Sequence, residues 1–155
     1  MGYKNLHGAL KQYSQTAMES GIESASPHRL VQMLMEGALD KIASAKGSMA
    51  RRAFEAKGHQ INWAISIING LRMSLDKDGG GELVENLDSL YDYMVRRLMS
   101  AHVENNPAML DEVASLLREI KSAWDAIPDE IKNAPRAAPE TIEREAAKPA
   151  AATGR

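Results

Sequence analysis

Glu55 and His59 stand four residues apart, a spacing that puts both side chains on one helical face and lets them share a metal ion. A di-metal helical site needs more, a Glu-x-x-His pair on each of two helices, and no Glu-x-x-His occurs in the 155 residues. The balance therefore favours a solvated pair near a helix start. His7, His28, His59 and His102 lack a carboxylate and a nucleophile at any triad spacing. His28, in the run SPHR, suits a helix start better than catalysis. Asp88 and Asp92, at i and i+4, have the spacing for paired acid/base work. On a charged outer face such a pair is more often solvated. The glycines at 79–81 lack the Lys-Ser/Thr that follows a phosphate-cradling loop. Arg51-Arg52 and Arg96-Arg97 are isolated doublets, read as solvated surface rather than as contacts to an acidic partner. With no cysteine there is no thiol nucleophile, disulfide or thiolate metal site. The reading is a non-enzyme with no cofactor.

The elements that would carry these residues are helices. Ser26-Pro27 supplies an N-cap and a first-turn proline, and Val31, Leu34, Ala38, Ile42, Ala45 and Met49 follow in steps of three, four and seven. Gly47 is a weak point and the turn is placed at 49–53. A second seam runs Ile61, Ala64, Ile68, Leu71, Leu75 and stops at the three glycines. A third carries Leu83, Leu87, Leu90, Met94, Leu98 and Ala101. Asn106-Pro107 repeats the cap-and-proline signal, and Leu110, Val113, Leu117, Ile120, Trp124 and Ile127 point inward before Pro128. Short connections make neighbours antiparallel, which predicts an all-α, up-down-up-down four-helix bundle over 26–133. Residues 1–25 read as an arm with scattered apolar anchors. Residues 134–155, rich in Ala and Pro, read as a disordered tail.

Composition narrows the function further. Nineteen basic against 21 acidic side chains give a net charge of -2, and only 5% of residues are aromatic, which disfavours a nucleic-acid binder. No apolar run has the length of a signal peptide or a membrane span, so a cytosolic protein without membrane insertion is expected. What is left over is apolar surface. Trp63, Ile65, Ile67, Tyr91, Tyr93, Val95, Leu30, Met33 and Leu116 lie off the seams above, and Gly37 hints at close packing. Wide core faces absorb part of this surplus. The remainder suits grooves that receive another chain, and nine methionines suit a target that changes shape as it binds. Leu6, Leu10 and Tyr13, at i, i+4 and i+7, could cover such a groove until a partner displaces them.

Four segments in order carry a resemblance: SPHRLVQMLMEGAL (26–39), the seam over 61–76, YDYMVRRL (91–98), and 110–127 with its AWD. Together they resemble the flagellin-specific export chaperones, the FliS family, over about residues 3–127. The resemblance implies a cytosolic antiparallel bundle that binds the disordered C-terminal segment of flagellin at about 1:1. It further implies that the bundle prevents premature polymerisation and delivers the subunit to the flagellar type III export gate. Tyr13, in ALKQYSQ, matches the arm's tyrosine. The expected binding residues are Leu10 and Tyr13 in the arm, with Ile65, Ile67, Tyr91 and Val95 as outward-facing groove residues. The alternative is a self-associating helical scaffold whose surplus face makes a weak homodimer.

Overall fold

A computed structural model describes residues 25–128 as four helices: α1 (Pro27–Ala50), α2 (Phe54–Met73), α3 (Gly81–Glu104) and α4 (Pro107–Asp125). The caps read from sequence are in place. Ser26 Oγ accepts the Arg29 N–H at 3.1 Å, and Asn106 Oδ1 accepts the Ala108 N–H at 3.0 Å, each satisfying a first-turn donor that has no partner inside the helix. The end of α1 is less obvious in sequence because it closes on arginine rather than glycine. Arg52 adopts φ 60°, the Ala53 N–H reaches back to the Ser48 carbonyl at 2.8 Å, and Arg52 N–H to Met49 at 3.1 Å. Between α2 and α3 the glycines are required by space as well as by backbone freedom. A Cβ on Gly80 would stand 1.7 Å from Val84 Cγ2, and Gly81 has φ 62°.

α1 packs on α2 and α4, and α3 packs on the same two, so the helices form a four-cornered bundle. Contacts between helix ends show that neighbours run antiparallel. Gln32 near the start of α1 donates to Asp125 at the end of α4 (2.7 Å), and Arg72 at the end of α2 meets Asp88 near the start of α3 (2.7 Å). The Trp124 indole stacks on His28 at 4.9 Å and donates to the His28 carbonyl at 3.0 Å. His28 therefore locks α1 to α4, consistent with its reading as a helix-start residue.

The core holds Leu30, Leu34, Ile42, Ile61, Ile68, Met94, Leu98, Leu110 and Leu117, all but sealed from solvent. It thins toward the end of the bundle where the described chain begins and ends. There Leu75, Leu87, Leu90, Ile120, Trp124 and Ile127 are only half-buried. Leu83, expected inward, is 69% exposed because it rides the first turn of α3 beyond the last filled layer. The arm at 1–25 lies outside the described residues except for Ala25, and so do the end of the expected bundle segment after Pro128 and the tail at 134–155.

Candidate protein-docking face

The register of α2 against α3 follows from two contacts. A Cβ on Gly58 would touch His102 Cε1 at 3.3 Å, so the His102 ring of α3 packs against the α2 backbone there, and Arg72 meets Asp88. Halfway between lie Ile65 and Val95, level with each other across the α2/α3 seam and both half-buried against the core. From Val95 the outward line of α3 continues at i+4 to Met99 (54% exposed) and at i+8 to Val103 (79% exposed).

α2 contributes a face of unusual composition. From Gly58 to Leu71 the chain has no Asp, Glu, Lys or Arg. The exposed positions from His59 onward are His59, Asn62, Trp63, Ser66, Asn69 and Met73. Four of them (His59, Asn62, Trp63, Ser66) line a shallow depression. Trp63 is 37% exposed, with the Lys41 ammonium 4.4 Å from its ring centroid. Solvent-facing helix surfaces normally carry charge, and loss of charge with Trp and Met enriched is the signature of an interface centre. On the described part of the other helices charge is regular: Arg29, Asp40 and Lys46 on α1, Glu82, Glu85 and Arg96 on α3, Asp111, Arg118 and Glu119 on α4.

Fixed charges frame this face at both ends. Arg72 holds Asp88 (2.7 Å) and Asp92 (3.1 Å), and Lys77 adds a contact to Asp88 at 3.3 Å. The Arg72 hydrogen bond keeps the Asp88 carboxyl below its usual range. Asp88 and Asp92 are thus structural ion-pair partners, not a solvated pair. At the other end Lys57, nearly fully buried, donates to the His102 carbonyl at 2.9 Å and to Asn105 Oδ1, where the left-handed Asn105 (φ 53°) ends α3. A cation belongs there, against the orphan carbonyls and negative pole of a helix C-terminus. The arginine doublet at 96–97 is also engaged. Arg97 and the Tyr93 hydroxyl both hold Glu112 of α4, at 2.8 and 2.5 Å, and Arg96 pairs with Asp92 at 3.0 Å.

The structure separates the expected binding residues. Ile65 and Val95 come together on the α2/α3 face. Ile67 and Tyr91 do not face outward: they are 1% and 3% exposed and belong to the core. The reason is periodicity. Ile67 follows Ala64 by three and precedes Leu71 by four, and Tyr91 precedes Met94 by three and Leu98 by seven, so each stands on its helix's buried seam. A helix with neighbours on two sides buries a wider arc than one seam. Burial pushes the Tyr91 phenol up to about 12. Leu10 and Tyr13 lie outside the described residues. Sequence reasoning missed Asn62, Ser66, Asn69, Met99 and Val103. The signal for the first three was present as the charge-free run over 58–71. Glu55 and His59 both stand exposed on α2, with no third metal-type ligand grouped with them among the described residues.

No described helix is long and apolar enough to cross a membrane. Residues 9–131 match the family described as Flagellar protein FliS. The chain is 50% identical over 119 residues to the flagellar secretion chaperone FliSB of Pseudomonas aeruginosa, spanning 77% of this chain and 94% of that protein. It is 42% identical over 128 residues to the flagellar secretion chaperone FliS of Vibrio cholerae (83% and 94%), and 43% identical over 119 residues to that of Salmonella typhimurium (76% and 88%).

Proposed function

The chain belongs to the FliS family of flagellar proteins, whose relatives are secretion chaperones rather than enzymes, and on that premise we propose that it binds the C-terminal segment of flagellin. In this reading it holds the client in the cytosol at about 1:1, blocks premature polymerisation, and hands it to the flagellar type III export gate. The docking face is the charge-free outer side of α2 with the Ile65–Val95 seam and Met99 beside it. The observation that carries the reading is the run from Gly58 to Leu71, which exposes Asn62, Trp63, Ser66 and Asn69 with no charge among them. Leu10 and Tyr13 of the arm cover part of this face until the client arrives.

The energetics fit binding without chemistry. A filament-forming segment carries an apolar stripe by which free subunits would associate. Ordering a disordered client opposes binding by about 2–5 kcal/mol or more, so the chaperone must offer apolar contact in compensation. A charge-free face does this without desolvating ions, which would subtract from the gain. Release then needs a competitor for the same segment, not nucleotide hydrolysis.

Size exclusion of the full chain mixed with monomeric flagellin at about 50 μM tests this. A co-eluting 1:1 complex is expected, lost when flagellin is truncated at its C-terminal segment. Separate elution, or binding that survives the truncation, removes the assignment.

A further inference from the structure

Sulfur chemistry in this chain is carried by thioethers alone. The sequence has nine methionines and no cysteine, so an oxidant meets no thiol first. The described methionines fall into two groups. Met33, Met35, Met49 and Met94 are core residues at 8% exposure or less, and Met109 is half-buried. Met73 and Met99 are 62% and 54% exposed. Both stand on the docking face: Met73 closes the charge-free side of α2, and Met99 continues the outward line of α3 from Val95. We propose that a hydroperoxide oxidises the folded chain at Met73 and Met99, and that the resulting sulfoxides weaken client docking. The effect on docking rests on the flagellin reading above; the choice of sites does not.

The reaction needs access to sulfur. Its lone pair attacks one oxygen of the peroxide, and an S–O bond forms as the O–O bond breaks. The other oxygen takes up a proton and leaves as water or an alcohol. Sulfur is oxidised and the peroxide is reduced. A close-packed core gives the incoming peroxide no room at the thioether. Oxidation of Met94, at 0% exposure, therefore waits for opening of the bundle, whereas Met73 and Met99 react in the folded chain.

The product is a polar side chain where a flexible apolar one stood. Elsewhere on the bundle surface the change matters little, because charged and polar groups already stand there. On the docking face the sulfoxide oxygen must give up its water when a client covers it. Met99 lies one turn from Val95 and one turn from Val103, which is 79% exposed, so its sulfoxide interrupts an apolar line. Neither side chain fills the core, so the modification acts on binding and spares the fold.

Brief treatment of the full chain with hydrogen peroxide, quenched before flagellin is added, tests both halves. Peptide mapping by mass spectrometry is expected to find an added oxygen on Met73 and Met99 while Met33, Met35, Met49 and Met94 stay unmodified. The oxidised chain keeps its helical circular dichroism and binds flagellin about fivefold more weakly or worse, read by calorimetric titration. Methionine sulfoxide reductase with a thiol reductant restores the affinity. Met1 and Met18 of the arm lie outside the described residues, and a double variant, Met73→Leu with Met99→Leu, separates their contribution. Leucine preserves apolar bulk, so this variant binds flagellin like wild type and keeps that affinity after peroxide. Core methionines that oxidise as fast as Met73 and Met99 overturn the choice of sites. Undiminished binding by the oxidised chain, or an equal loss in the peroxide-treated double variant, overturns the docking effect. Absence of flagellin binding by the untreated chain overturns the client reading and the docking effect with it, while the mapped sites stand.

Discussion

The two opposite sides of the bundle are built alike and finished differently. On the α1/α4 side, Glu36, Asp40, Arg118, Lys121 and Asp125 surround the half-buried Leu39, and Lys121 ties Asp125 at 2.8 Å and Glu36 at 3.7 Å. On the α2/α3 side, Ile65 and Val95 occupy the equivalent seam, but α2 brings no charge to its rim over four turns. Both sides bury an inner stripe, so the need for a core does not by itself explain the contrast. Charge at a seam completes a surface for water; its absence leaves a surface for protein. On the proposed reading, this difference is what marks the α2 face as the docking side.

The sharpest way to test the contrast is within α2 itself. Ile65 and Ile67 are two residues apart, one on the docking rim and one in the core. Ile67→Asp buries an unpaired carboxylate and destabilises by about 4 kcal/mol or more, enough to unfold a domain of this size. Urea titration followed by circular dichroism measures it. If Ile67→Asp melts like wild type, the division of α2 into an inner and an outer face is wrong. Next in size is Trp63→Ala. If the proposed docking face holds, this removes an interface anchor and weakens flagellin binding by about tenfold or more, while the melting temperature moves by no more than about 3 °C. Calorimetric titration reads the first and a thermal melt the second. Equal affinity with a large melting loss would make Trp63 a structural residue held under Lys41.

These two substitutions also show what was legible in the sequence. The four helices were, because caps at Ser26 and Asn106 and steps of three and four are local signals that tertiary packing reinforced. The inward sense of Ile67 and Tyr91 is contained in their spacing, but a single seam per helix is too narrow to show it where two neighbours pack. Leu83 failed for the opposite reason: its period is right, but no layer faces it at the end of the bundle. Asp88 with Arg72, Arg97 with Glu112 and Lys57 with Asn105 could not be paired from sequence, since register between helices depends on where turns end. The α1 terminus at the left-handed Arg52 lacked its glycine marker.

A smaller effect tests the charged finish of the α1/α4 side by acid. Lys121's hydrogen bond, with help from Gln32, holds the Asp125 carboxyl below the usual carboxylate range. A carboxylate whose folded pKa is depressed contributes stability that is present above its unfolded pKa and is lost as pH falls through the folded one. Melting temperature therefore drops below about pH 4. Lys121→Met removes the first of these hydrogen bonds and flattens that part of the curve. Trp63→Ala leaves its shape unchanged, because no acid stands on the α2 face between His59 and Met73. Thermal melts from pH 3 to pH 7 on both variants check the difference, and parallel curves for Lys121→Met and wild type would show that the α1/α4 charges do not stabilise the seam.

The smallest effect expected is that of salt on client binding, and its smallness is the informative part. Raising ionic strength from about 0.05 to 0.5 M shortens the screening length from roughly 14 to 4 Å. Interfaces built on charge lose association rate and affinity steeply over that range. A face whose exposed residues are Asn62, Trp63, Ser66, Asn69 and Met99 has nothing to screen. Salt also strengthens apolar association slightly, by making water a poorer solvent for the exposed surface. The flagellin dissociation constant should thus change by less than about threefold, measured by titration at both salt concentrations. Asp40→Ala or Arg118→Ala, on the opposite side, should change it by less than about twofold at either. A loss above tenfold in high salt would move the binding determinants from the α2 face to its charged frame, to Arg72, Arg96 and Lys41. In that case the bare helix would only separate the charges that do the recognition, and the contrast between the two sides would be one of arrangement rather than of kind.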